Sequence, residues 1–245
     1  MIEHHLDIPT AEGSMNTFIT YPEEGGPFPV VFFYMDAPGK REELHDMARR
    51  LATVGYFVVL PNLYYRRARE FSHPFDADGI EKMLAMMRTL TNELVLQDTL
   101  AMINFVDDHA NADARRIGAV GYCMSGPFVL CAAGRYPNRI KCAASIYGAN
   151  LVTDRDDSAH LMADKATGEL YIACAEIDEY APREIIAELE SHLRGADTNY
   201  RLEWYPGAHH GFAFLDRAGA FHMPSAERHW ERLFALFNRN LVAED

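Results

Sequence analysis

Gly121-Tyr122-Cys123-Met124-Ser125-Gly126 sits between an apolar run at residues 117–120 and a helix-compatible segment at residues 127–133. This is the sequence form of a strand, a sharp turn and a helix. At such a turn the central residue takes a strained backbone conformation that lifts its side chain clear of the sheet, and small neighbours give it room. The helix N-terminus behind it supplies positive potential and unpaired N–H groups, which favour thiolate over thiol and a developing oxyanion over a carbonyl. On the hexapeptide alone two readings stand. Cys123 is an exposed nucleophile, or it is a small buried hydrophobe, as most free cysteines are.

On the N-terminal side, residues 30–34 and 57–60 are continuous apolar runs, as expected of strands buried on both faces. Between them a helix is expected over 42–53, with Leu44, Met47, Ala48 and Leu51 at helical spacing. Strand, helix, strand in this order is the unit of a parallel sheet. Strands at 142–147, 169–175 and 202–205 extend it, with helices expected over 80–90, 93–109, 182–193 and 226–241. Residues 2–8 and 15–21 read as an antiparallel edge pair around a turn at Glu12-Gly13-Ser14. Residues 150–167 read as an exposed irregular insertion. Residues 62–80 are polar and aromatic and include Tyr64, Arg66, His73 and Phe75; they are a surface excursion, a lid or a substrate wall. The expected architecture is one α/β domain over residues 1–245, with a mostly parallel central sheet, helices on both faces and an antiparallel N-terminal edge.

Composition narrows the function classes. Lys and Arg number 23 against 36 Asp and Glu, a net charge of −13, which argues against nucleic acid or an anionic membrane as the main partner. No apolar stretch is long enough to predict a transmembrane helix. Met1-Ile2-Glu3-His4-His5 carries an acid and histidines where a signal peptide has a basic start and an apolar run, so a cytoplasmic location is expected. Cys123, Cys131, Cys142 and Cys174 are then expected to be free thiols. No CxxC pair is present, and the adjacent pairs His4-His5 and His209-His210 have no helically spaced third ligand, so no metal is expected.

A nucleophilic thiol needs a base. Among the histidines, His209 and His210 follow directly from an expected sheet strand, through Pro206-Gly207-Ala208. A loop after a parallel strand lies on the same sheet edge as the Cys123 turn. The base needs an acid to orient it, and strand 169–175 runs into Glu176-Ile177-Asp178-Glu179-Tyr180-Ala181-Pro182 at that same edge. Nucleophile, acid, histidine is the chain order of an α/β-hydrolase.

Three segments, residues 121–126, 176–182 and Tyr205-Pro206-Gly207-Ala208-His209-His210-Gly211-Phe212, together resemble the signature segments of dienelactone hydrolases (carboxymethylenebutenolidases). The resemblance extends to residues 55–64 and 226–230 and covers nearly the whole chain. It implies the α/β-hydrolase fold with Cys123 as nucleophile, His210 as base and Asp178 as acid. His210 is preferred to His209 because it directly precedes Gly211-Phe212. Glu176 and Glu179 are then solvated charges. An oxyanion hole is implied at the N–H groups of Met124 and Ala37.

Two positions depart from the family pattern. A family glutamate that touches the resting thiol corresponds to Asp36, one methylene shorter, which makes Asp36 the candidate for thiol gating. The family's carboxylate-gripping arginine, four residues beyond the histidine, corresponds to Phe214. Arg66, Arg67 and Arg69 are candidates for another such arginine, and Tyr64, Arg66 and Phe214 are the candidate substrate-binding residues. The resemblance implies a cofactor-independent hydrolase of a lactone or a small activated ester, acting on a small-molecule substrate through an acyl-enzyme. A non-catalytic thiol sensor or small-molecule binding module on the same scaffold is the alternative, since fold does not fix function. The sequence does not set the oligomeric state.

Overall fold

In the computed structural model, which describes residues 1–71 and 77–242, the chain forms an eight-stranded sheet flanked by helices. In chain order the elements are β1 (Ile2–Thr10), β2 (Gly13–Tyr21), β3 (Phe28–Tyr34), α1 (Glu42–Ala52), β4 (Phe57–Pro61), α2 (Ala77–Met87) and α3 (Asn92–Asp107). Then come β5 (Ala112–Tyr122), α4 (Gly126–Arg135), β6 (Ile140–Ile146), α5 (Ala159–Ala163), β7 (Glu169–Ile177), α6 (Arg183–Gly195), β8 (Tyr200–His209) and α7 (Met223–Leu241).

The strand order is β1-β2-β4-β3-β5-β6-β7-β8. β1 pairs β2 and β2 pairs β4 antiparallel, while every pairing from β4 through β8 is parallel. The mostly parallel sheet with an antiparallel N-terminal edge, expected from the apolar runs, is therefore what forms. β4 is buried at every position and β3 at all but its first, as strands covered on both faces must be.

Helices cover both faces, and glycines in β5 show which helix lies where. A Cβ on Gly118 would strike Phe237 and Leu241 of α7, whereas one on Gly121 would strike Val129 of α4. Three residues along a strand is the opposite face, so α4 and α7 lie on opposite sides of the sheet. α1 joins α7 through Arg50, which pairs with Glu227 at 3.0 Å and stacks over the Trp230 ring. α3 joins α4, where the Tyr136 hydroxyl donates to the Leu96 carbonyl at 2.7 Å. Thr91 caps α3 by accepting from the Leu94 N–H at 3.2 Å.

Three sequence expectations change. Residues 150–167 are more than an exposed insertion: Leu151, Ala159 and Ala163 are buried, and the short helix α5 packs on α4. Pro206-Gly207-Ala208 is not a turn closing the last strand. β8 runs through it to His209 as a bulge, with Ala175 opposite Tyr205 and Ile177 opposite His209. Residues 62–71 fold inward at Asn62, Leu63 and Tyr64, all buried, while His73 and Phe75 of the expected lid or wall lie outside the described residues. No described helix is long and apolar enough to cross a membrane.

Candidate active site

β5 ends at Tyr122, and the chain turns through a single 3-10 turn, residues 123–125, into α4. Cys123 sits at that turn with φ of 54°, in the left-handed region that a non-glycine residue enters only under local constraint. The constraint is visible around it. A Cβ on Gly126 would overlap Gly148 Cα, so the elbow can close only with glycine there. The Cys123 carbonyl accepts from the Ala149 N–H at 3.0 Å, and the Ser125 hydroxyl donates to the Met35 carbonyl. The turn is thereby tied to the loops after β6 and β3. Cys123 is partly exposed, whereas Cys131, Cys142 and Cys174 are buried and their thiols are pushed well up by that burial.

The bulge in β8 sets the base beside the acid. Since Ile177 and His209 are partners, the next residues, Asp178 and His210, leave the two strands side by side. His210 Nδ1 and Asp178 Oδ2 are 2.9 Å apart. Asp178 Oδ1 accepts from the backbone N–H groups of Tyr180 and Ala181, at 2.9 and 3.3 Å, so the carboxylate cannot rotate away. Glu176 accepts from the Gly207 N–H at 2.8 Å and pins the bulge, which is a more specific role than a solvated charge.

The His210 ring packs against Tyr147 at 5.1 Å and Tyr180 at 4.8 Å, centroid to centroid. Burial disfavours its charged form, but the Asp178 carboxylate and the Cys123 side chain outweigh that, and its pKa is pushed up to about 9. His210 Nε2 is buried and has no hydrogen-bond partner among the described residues, although Cys123 is near enough to act on the ring. Catalytic hydrogen bonds are often long or poorly aligned in unliganded sites. His209 is exposed.

Two residues carry the N–H groups expected of an oxyanion hole. Met124 follows Cys123 in the turn, and Ala37 stands on the loop after β3. Tyr64 joins them: its hydroxyl donates to the Ala37 carbonyl at 2.8 Å and lies 3.4 Å from Met124 Sδ.

A histidine held by an aspartate beside a cysteine on a strained elbow, in this chain order, is the arrangement implied by the signature segments. The sequence pattern of the "Dienelactone hydrolase family" matches residues 15–241. The chain belongs to the dienelactone hydrolase family. It is 27% identical over 239 residues to a Synechocystis sp. protein named "Putative carboxymethylenebutenolidase", covering 96% of each chain. A protein of Escherichia coli (strain K12) with the same name is 27% identical over 238 residues, covering 95% of this chain and 85% of that one. Among solved structures, one from Klebsiella pneumoniae subsp. pneumoniae MGH 78578, also named for dienelactone hydrolase, superposes with a TM-score of 0.86 at 25% identity. It covers 97% of this chain and 98% of the other. The fold is that of the α/β-hydrolases.

Within this dienelactone hydrolase family member the remaining candidate residues divide. Asp36 is fully buried, yet its carboxylate is taken by two arginines: Arg41 at 2.5 Å and Arg217 at 3.1 Å. Arg41 also holds Asp216 at 2.7 Å. The four side chains alternate in sign and tie the loop after β3 to the loop after His210. No hydrogen bond joins Asp36 to Cys123 among the described residues; the carboxylate at the position expected to gate the thiol is held by this ion-pair network.

Phe214 and Tyr64 have no accessible surface, so neither can touch a substrate directly. Phe214 is packing: its ring lies 5.1 Å from Tyr122, and the Arg41 guanidinium covers it. Arg66 is not brought to the site. Its two terminal nitrogens each donate to Asp98 at 2.8 Å and its Nε to Glu12, on the β1 and α3 side of the molecule. Arg69 pairs with Asp7 at 2.9 Å, also away from the thiol. Among the described residues no group of three or more His, Cys, Asp or Glu side chains could hold a metal ion.

Sequence reasoning missed Arg41, Asp216, Arg217, Tyr147 and Tyr180. Arg217 stands seven residues beyond His210 rather than four, so a search at fixed spacing passes over it. Tyr180 could have been found, since an Asp-x-Tyr sequence after a strand forms the Asx turn seen here.

Proposed function

We propose that this chain hydrolyses a small-molecule lactone or small activated ester with Cys123 as nucleophile, through an acyl-enzyme. The observation that carries the reading is the His210–Asp178 pair at 2.9 Å beside a cysteine held at φ of 54°. A binding module or thiol sensor has no need of a strained nucleophile together with an oriented base.

His210 Nε2 takes the Cys123 proton, and the sulfur attacks the ester carbonyl carbon, forming an S–C bond. The carbonyl oxygen becomes an oxyanion facing the N–H groups of Met124 and Ala37. Collapse breaks the C–O bond, and the leaving oxygen takes the proton from Nε2. Water then gives a proton to Nε2 and attacks the thioester carbonyl; the C–S bond breaks and the imidazolium returns a proton to sulfur. Asp178 holds the imidazole in the tautomer with Nε2 free and stabilises the imidazolium. A thiolate leaves readily, so the chemistry suits esters and lactones better than amides, whose tetrahedral intermediate reverts.

The test is hydrolysis of p-nitrophenyl acetate and of a dienelactone by the wild type and by Cys123→Ala. The proposal expects the variant to lose at least a thousandfold, on the scale of removing an activated nucleophile. Equal rates would remove Cys123 from the mechanism. Stoichiometric thiol labelling without turnover of any ester would favour the sensor reading.

A further inference from the structure

A cavity of about 200 Å³ opens on the α3 and α4 side of the elbow. Its lining is half apolar: Met87 and Leu90 from the end of α2 and the link to α3, with Met124, Pro127 and Phe128 from the turn and the first residues of α4, facing Thr91 and Asn92 at the start of α3. Asn150, Thr153 and Arg155, after β6, line its polar part. Every one of these segments lies at the carboxyl edge of the sheet, where Cys123 stands. A larger cavity, about 690 Å³, lies between the β1–β2 hairpin and α3; of its charged residues, Arg66 is taken up by Asp98 and Glu12, and none of its lining belongs to the Cys123 elbow.

The small cavity adjoins the elbow, although Cys123 itself is not among its lining residues. Met124 is the residue after Cys123, and Asn150 follows Ala149, whose N–H is bound to the Cys123 carbonyl. The outer wall is braced as well. Asn92 donates to the Asp157 carbonyl at 2.6 Å, holding the start of α3 to the loop after β6, and Arg155 is drawn to Asp157 at 2.7 Å.

Its side of the sheet says which part of a substrate it receives. The loop after His210 packs on the α1 face: the Leu215 N–H donates to Glu43 of α1 at 2.8 Å, and Asp216 pairs with Arg41. The cavity is on the α4 face, across Cys123 from that loop. On the proposed mechanism the leaving oxygen must face His210 Nε2 to receive its proton, so the acyl substituent points the other way.

We infer that this cavity is an acyl pocket, and that it selects esters and lactones whose acyl part is an unbranched apolar chain or ring of about six carbons. At roughly 30 Å³ for each water-sized group, the volume holds about six. The assignment of acyl rather than leaving-group side rests on the hydrolase reading; the cavity with an apolar wall next to the elbow does not. Each methylene buried there raises the specificity constant by up to about fourfold.

The experiment has two arms, run on the wild type and on Met87→Trp, with thermal melts to show that both are folded. In the first, kcat/KM is measured for p-nitrophenyl acetate, butyrate, hexanoate and dodecanoate. The wild type is expected to prefer hexanoate to acetate by about tenfold or more and to gain nothing further at dodecanoate, and the tryptophan is expected to abolish the preference. In the second, Cys123 is alkylated with iodoacetamide and with N-pentyliodoacetamide and followed by intact mass, each rate being divided by that of a cysteine peptide. The pentyl reagent is expected to gain about tenfold in the wild type and nothing in the variant. Ester turnover without chain preference overturns the pocket. Absent turnover, an alkylation preference that Met87→Trp removes overturns the hydrolase reading and keeps the pocket, and equal alkylation rates overturn the pocket.

Discussion

Asp36 and Arg217, 181 positions apart in the chain, meet in a 3.1 Å ion pair, and Arg41 closes on the same carboxylate from the other side. The loop carrying Ala37 is thereby joined to the loop that follows His210. Asp36 is completely buried and each arginine is mostly so. Removing one charge from such a set leaves the others uncompensated in a poorly solvated place.

Asp36→Asn is therefore expected to lower stability by about 3 kcal/mol, the scale for breaking one side of a buried pair. Urea unfolding checks it. A carboxylate whose task was to gate the thiol would behave differently: the variant would keep its unfolding midpoint and change the pH dependence of Cys123 alkylation.

The same network bears on substrate charge. Arg41 and Arg217 face Asp36 and Asp216, so their charge is already matched within the protein. Phe214 supplies no replacement. Lactones that differ only in a carboxylate are expected to have kcat/KM values within about tenfold, a difference of at most ~1.4 kcal/mol. A thousandfold preference for the acid would contradict the matched network.

The pH behaviour follows from His210, whose pKa is raised from its ordinary value to about 9. A raised folded-state pKa means that the native state holds the proton more tightly than the unfolded chain. The resulting stabilisation is fully present below the unfolded pKa of ~6.5, fades above it and is gone once pH has passed about 9; its size is of the order of 3 kcal/mol. NMR titration of the imidazole is expected to show a midpoint near 9, and Asp178→Asn is expected to lower it by more than a unit. Acylation of Cys123 removes one of the two side chains that raise this pKa, so the same imidazole falls in pKa and becomes a base for water.

Arg66 separates a structural arginine from a substrate-binding one. Its fork holds Asp98, which has no accessible surface and whose carboxyl is pushed up by burial despite Arg66. Arg66→Ala leaves that group buried with the Tyr65 hydroxyl, 2.9 Å away, in place of its ion-pair partner and is expected to cost about 3 kcal/mol of stability. Its kcat/KM for p-nitrophenyl acetate below the melting range is expected to stay within twofold of wild type. A large rise in KM with stability unchanged would return Arg66 to the substrate.

What could be read from the chain alone follows from which features are local. Cys123, Asp178 and His210 each follow a strand of the parallel part of the sheet, so sheet order alone brings them to one edge, and small residues around Cys123 mark the elbow. Pro206-Gly207 carries a turn signal, yet the ladder resumes at His209 because Glu176 satisfies the Gly207 N–H. That depends on a residue in another strand. The partners of Asp36 were hidden for the same reason, as their pairing requires two distant loops to fold together. Residues 150–167 read as exposed because Leu151, Ala159 and Ala163 are separated by charged positions and show no clean period.

The most direct test of the account is the intact mass of the protein quenched within milliseconds of mixing with p-nitrophenyl hexanoate, with peptide mapping of any adduct. A hexanoyl group on Cys123 is expected, transient in the wild type, persistent in His210→Ala once acylated, and absent in Cys123→Ala. Turnover with no adduct on Cys123 at any time, or an adduct on another residue that Cys123→Ala leaves in place, would contradict the account.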